Sequence, residues 1–251
     1  MIWRRIIRHK AQTYRYELVL AMVYTLISVL ASYVFWNAMT DSGANIPGWT
    51  LRDLVFFALL IDFAGYVDGL LYYFIPTSGM IRRGELATIL LKPVPIWKAL
   101  FPYRVGAEDV YATALKGALV IGIGLSIGYS IQNILVGMIL VLAGAFIENL
   151  IYAAVMYTNF FIGDARPLVR ACNEVWGAAR SHPVDAYKKS MLYWVLIFIV
   201  PLYFLGTLPM HFIMGQWDPF VIILPMLIAI WFGAVKIIWS IGLRRWEAYG
   251  G

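Results

Sequence analysis

Four charged residues stand inside long apolar runs: Asp62, Asp68, Lys116 and Glu148. An Asp or Lys at the centre of a membrane helix costs about 2.5–3.5 kcal/mol on insertion scales, so such groups face protein or water. Two roles are open to them. They can pair as buried ions that fix helix register, with Lys116 placed to meet Asp68 or Glu148. They can instead line a polar substrate path, or carry protons for an ion-coupled step. Asp62 and Asp68 lie about 120° apart round a helix of 3.6 residues per turn, so they do not form one carboxylate dyad. Asp68 shares a face with Gly65 and Tyr72.

Other reactive groups are sparse. His9, His182, His211 and the single Cys172 are scattered and show no metal-ligand spacing. One cysteine excludes an intrachain disulfide. No G-x-x-x-x-G-K-[ST] phosphate loop occurs, so any ATP-driven step needs a second chain to hydrolyse the nucleotide. The FIGD of 161–164 and the Asp68-Gly69 pair match fragments of intramembrane enzyme motifs only at chance level. No catalytic residue, metal or cofactor is expected in this chain.

The elements that must hold these groups are helices in a bilayer. Hydrophobic residues make up 62% of the 251 and mean hydropathy is +0.75. A soluble domain has roughly 45–50% apolar residues. The pattern predicts an all-α integral membrane protein, a single transmembrane domain over 1–251. A basic interfacial helix over 1–16 is followed by six spans at 18–39, 54–75, 109–130, 134–162, 191–207 and 220–242. Segment 208–217 is expected as a cap after the fifth span. Gly124 and Gly128 fit a G-x-x-x-G packing face.

The net charge of +6 does not point to nucleic acid, because the cations sit in loops between apolar runs. Of the 20 Lys and Arg, all but Arg52, Lys116 and Lys236 fall at the two termini or in the loops 76–107 and 163–190. The positive-inside rule then places both termini and both large loops in the cytoplasm of a multi-pass plasma-membrane protein.

The sequence RRGELATILLKPVPIW, residues 82–97, stands out among the loops. Gly84 permits a sharp turn. Leu86, Ile89 and Leu90 share one helical face, and Pro93 and Pro95 forbid continuation. The result is a short amphipathic helix, able to seat in a cytoplasmic partner or to lie on lipid.

This segment resembles the G-E/K-L-D-x-x-L-L-K/R-P-x-x-P loop of ABC-2-type exporter permeases, through Gly84, Glu85, Leu86, Leu90, Leu91, Lys92, Pro93 and Pro95. Ala87 replaces the usual acidic residue, which leaves open which side chains touch a partner. The tail RRWEAYGG is similar to the R-R-Y-x-S-x-G ending of that branch. The resemblance implies a permease dimer, identical or mixed, with each subunit docked on an ABC ATP-binding subunit that holds ATP and Mg. It implies that the 82–97 segment carries a coupling helix between the second and third spans, with Arg83, Gly84, Glu85, Leu86, Ile89 and Leu90 as its contact residues. It implies an elbow helix at the N-terminus and an extracellular cap at 208–217. Tyr24, Phe35, Tyr193 and Phe198, on the first and fifth spans that flank the dimer axis in that class, become candidates to line a lipophilic path. The competing expectation is an ion-coupled secondary transporter that uses Asp62, Asp68 or Glu148.

Overall fold

The computed structural model describes residues 2–43 and 45–246; the side chains of 2–15, 17, 18, 101–103, 107, 178 and 179 are outside that description. The described residues form helices and turns without strands. The long helices are α1 (Ile2–Asp41), α2 (Leu51–Tyr72), α6 (Ala107–Ser126), α7 (Ile131–Tyr157) and α12 (Leu224–Arg245). Between them lie the short helices α3 (Ser78–Arg82), α4 (Glu85–Leu90), α5 (Ile96–Arg104), α8 (Asn159–Ile162), α9 (Arg166–Arg180), α10 (Met191–Phe198) and α11 (Thr207–Ile213).

Local chemistry sets the boundaries. Thr50 caps α2: its hydroxyl accepts from the Asp53 amide while its own amide donates to the Asp53 carboxylate. Ser130 caps α7 through its hydroxyl alone, which accepts from the Asn133 amide. Gly84 takes φ +75° and lets α4 turn away from α3. The α1 helix is continuous from Ile2 to Asp41, so the segment 1–16 is not set off from the first span as a separate element. The ending expected at 247–251 lies outside the described residues.

The central helix is α7. It packs against α2, α11 and α12, and 15 of its 27 residues are buried, most of them in its second half. Two of its glycines, seven apart, form the contact face for the 202–213 segment. A Cβ on Gly144 would stand 2.2 Å from the Phe204 carbonyl oxygen, and one on Gly137 would stand 2.4 Å from Ile213. The expected G-x-x-x-G face is divided: Gly124 touches Ile134 and Phe56 closely, whereas Gly128 sits past the end of α6 at φ +98° with open space around it.

The segment expected as the fifth span is bent. Met191–Phe198 and Leu202–Ile213 meet at a 72° bend, broken at Pro201, and at about 1.5 Å per residue neither piece reaches across a hydrocarbon core of about 30 Å. A second segment, α9 and its continuation, also runs along α2. The Asn159 amide donates to the Ser78 carbonyl, and the Ala165 amide donates to Asn159, so the start of α9 sits at the C-terminal end of α2. Its continuation ends at Asp185, which accepts from the Trp49 indole in the loop that precedes α2. The chain from 165 to 185 therefore passes from one end of α2 to the other. Hydropathy missed it because α9 carries Arg166, Arg170, Asn173, Glu174 and Arg180.

The loop 163–190 is accordingly not confined to one end. We call the end with α3–α5 the basic end. It keeps Arg166 and Arg170, while Lys188 and Lys189 lie toward the opposite end. The C-terminal end of α12 joins the basic end, where the Trp246 indole donates to the Ile81 carbonyl.

Candidate functional site

The charged residues inside the spans form two separate networks. Lys116 is fully buried and donates to Asp62 Oδ2 at 2.5 Å and to the Ala21 carbonyl at 3.1 Å. The Thr25 hydroxyl also donates to Asp62, at 2.9 Å, and the Tyr66 ring lies 4.8 Å from the ammonium. This cluster joins α1, α2 and α6. The expected pairing of Lys116 with Asp68 or Glu148 is not formed, because α6 meets α2 one and a half turns nearer its N-terminus, at Asp62.

Asp68 and Glu148 take their cation from a residue that sequence reasoning had assigned to a loop. Arg180, at the C-terminal end of α9, donates through one nitrogen to Asp68 at 3.1 Å and to Glu148. The Asn149 amide adds a bond to Asp68 at 2.6 Å. The signal for Arg180 was available in the polar stripe of 166–180, whose period is helical.

A cavity of about 660 Å³ lies along α1 and α2, with Asp62, Arg180 and His182 on its wall. Tyr24 and Phe35 line it. Tyr193 and Phe198 do not. They sit in the bent unit, where Tyr193 packs edge-on to Tyr203 and Phe198 to Phe220.

That bent unit has its own buried polar centre, unforeseen from the sequence. His211 faces Asp185 through Nε2 at 2.8 Å and Asp218 through Nδ1 at 2.6 Å. Both ring nitrogens donate only in the imidazolium form, so two carboxylates on either side favour that form. Tyr203 bonds Asp218, the Trp49 indole bonds Asp185, and the Val184 amide bonds Thr207. Four separate chain segments are thereby pinned together at the end opposite the basic loops. His182 and His211 were set aside as scattered, and only the fold brings His211 to its carboxylates. Among the described residues no His, Cys, Asp and Glu group is arranged to hold a metal ion.

At the basic end, α4 presents two faces. Leu86 is fully buried in a cluster with Ile81, Met156, Tyr157 and Phe160. Ile89 is half-buried, whereas Leu90 and Leu91 are 42% and 85% exposed. The expected common face of Leu86, Ile89 and Leu90 is therefore divided between core and surface. Arg83 pairs with Glu85 at 2.7 Å beside the Gly84 turn. Arg104 donates to the carbonyls of Tyr72 and Ile75, which ties the end of α5 to the last turn of α2. Nearby, hydrogen bonds from Arg166 hold the exposed Asp164 carboxyl down to about 2.

The family model described as ABC-2 family transporter protein matches residues 26–250. No curated protein and no solved structure gives a match. The family match runs from within α1 through α12, including the bent unit, and its members are transmembrane components without a catalytic centre of their own. The chain belongs to the ABC-2 family of transporter proteins, as a multi-pass membrane permease.

Proposed function

We propose that this chain is the membrane-spanning subunit of an ATP-driven exporter, moved by a separate ABC ATP-binding subunit docked on α4. The observation that carries this reading is the division of α4 into an outer and an inner leucine face. Leu90, Leu91, Val94 and Trp97 form an exposed apolar knob, ringed by Arg82, Arg83, Lys92 and Lys98. An apolar centre with a charged rim is the usual anatomy of a protein contact. Leu86, on the other face, is seated against the end of α7. A push on the knob is thus delivered to α7 through Leu86, and to α2 through Arg104.

The partner holds ATP and Mg and performs the hydrolysis. A second permease copy, identical or homologous, completes the path, and lipid surrounds the rest. Orientation follows from charge: with α9 counted as a crossing, the basic end retains the great majority of Lys and Arg and faces the cytoplasm with both termini. The basic N-terminal turns of α1 then meet the headgroups on that side, and the 184–218 unit closes the external side.

Transport in membrane vesicles containing the whole complex tests this reading. Vanadate abolishes export and a protonophore leaves it unchanged. Export that persists in vanadate and collapses with the protonophore contradicts the proposal and points to the ion-coupled alternative.

A further inference from the structure

A groove of about 390 Å³ lies between α1, α2 and α6, at the end of the fold opposite the basic loops. We propose that it binds a glycerophospholipid of that leaflet, with one acyl chain in the groove and the phosphate diester on Arg52. The assignment adds a site to the proposed exporter and uses neither α4 nor nucleotide. Only the naming of that leaflet as external rests on the orientation given above.

The shape of the groove suits a lipid chain. Val29 and Tyr33 of α1, Val55 and Leu59 of α2 and Ile123 of α6 line it, and Arg52 is the one charged residue on its wall. Tyr33 and Ile123 are exposed, so the groove is open along its side. From Arg52 to Leu59 the α2 backbone descends about 10 Å, within the roughly 15 Å that each leaflet contributes to a hydrocarbon core. The groove therefore stays inside one leaflet, and its cation stands in the first turn of α2, where headgroups begin.

Arg52 supplies the charge. Its Nη1 donates to the Ile127 carbonyl at 3.1 Å, and Ile127 itself lines the groove. The guanidinium is thereby held at the mouth of the groove. This bond closes the last turn of α6, but it uses one of the five N–H donors of an arginine. Among the described residues Arg52 forms no ion pair. Its neighbour Asp53 is buried, and that carboxylate is taken up by Thr50 and by the Tyr129 hydroxyl. The positive-inside rule gives no reason for a cation at this end. Capping of α6 explains one donor and leaves the groove beneath it unexplained. A purely apolar solute fills the groove and leaves the guanidinium unmatched. A free phosphate matches the guanidinium, whose paired N–H groups suit it, and leaves the groove unfilled. A phospholipid carries both groups on one glycerol.

The test uses the intact complex, purified in detergent, stripped of lipid and examined by native mass spectrometry without nucleotide. It is titrated with dioleoylphosphatidylglycerol. Dioleoylglycerol serves as a probe with chains but no phosphate, and glycerol 3-phosphate as one with phosphate but no chain. One phosphatidylglycerol per permease chain is expected to bind at least tenfold more tightly than any further lipid, and neither partial probe displaces it. Arg52→Gln weakens this binding tenfold or more, and Arg52→Lys by less than fivefold. Ile123→Trp, which fills the groove from its open side, weakens it tenfold, whereas Lys236→Gln, at an exposed cation on α12, leaves it unchanged. If Arg52→Gln does not assemble by gel filtration, Ile123→Trp decides. Lipid additions without a preferred first site, dioleoylglycerol binding as tightly as phosphatidylglycerol, displacement by glycerol 3-phosphate, or binding untouched by Ile123→Trp overturns the assignment.

Discussion

Replacing Lys116 by Met lowers the stability of the membrane domain by about 3–5 kcal/mol, the cost of leaving one partner of a buried ion pair alone. Asp62 then keeps its Thr25 hydroxyl but loses the ammonium, in a site where its own side chain is 7% exposed. The read-out is the unfolding midpoint of purified protein titrated with denaturing detergent. Adding Asp62→Leu to Lys116→Met restores most of the loss, because a matched apolar pair is often as stable as the ion pair it replaces. Recovery of the midpoint together with transport assigns the cluster to helix registration across α1, α2 and α6. A recovered midpoint with no transport assigns Asp62 to the path instead, since it also lines the larger cavity.

The second large effect concerns coupling. Leu90→Asp and Leu91→Asp cut export tenfold or more while ATP hydrolysis by the assembled partner falls far less. The unfolding midpoint stays within about 0.5 kcal/mol, as for other surface substitutions. Leu86→Asp behaves differently. It places a carboxylate at a fully buried position among Ile81, Met156 and Phe160, and the domain loses several kcal/mol. Export that survives Leu90→Asp and Leu91→Asp in well-assembled complexes removes α4 as the point where force enters.

The contrast between Leu86 and Leu90 shows what sequence could and could not reveal. Spacing correctly marked a short helix between Gly84 and Pro93, because glycine and proline act locally on the backbone. Spacing could not say which neighbour each leucine meets. Leu86 and Leu90 lie a turn apart, and the end of α7 covers only the first. The same limit applies to the ions. Apolar context identified Asp62, Asp68, Lys116 and Glu148 as groups needing partners, but partner choice depends on how far α6 and α9 slide along α2.

The course of α9 is less legible in the sequence. A hydropathy window sees only mean polarity, and α9 places Asn173 and Arg180 beside a cavity and Trp176 in the core while Arg166, Arg170 and Glu174 are exposed. Reading 163–190 as a loop hid Arg180 from the intramembrane inventory and Asp185 from the His211 centre. Conversely, Met191–Gly215 is apolar throughout, but only its second half is buried by protein; Met191, Trp194 and Ile199 are exposed, and the bend at Pro201 is not visible to a hydropathy window. Gly137 and Gly144 of α7 let that segment approach.

Accessibility of residue 189 decides the central point most directly. With Cys172 replaced by Ser, single cysteines are placed at Lys189, beyond α9, and at Arg83, beside α4; both native side chains are exposed. A membrane-impermeant maleimide applied to intact cells is expected to label Lys189→Cys and to spare Arg83→Cys until the cells are opened. Labelling of both positions only after the cells are opened would place 163–190 wholly inside, and α9 would not be a crossing.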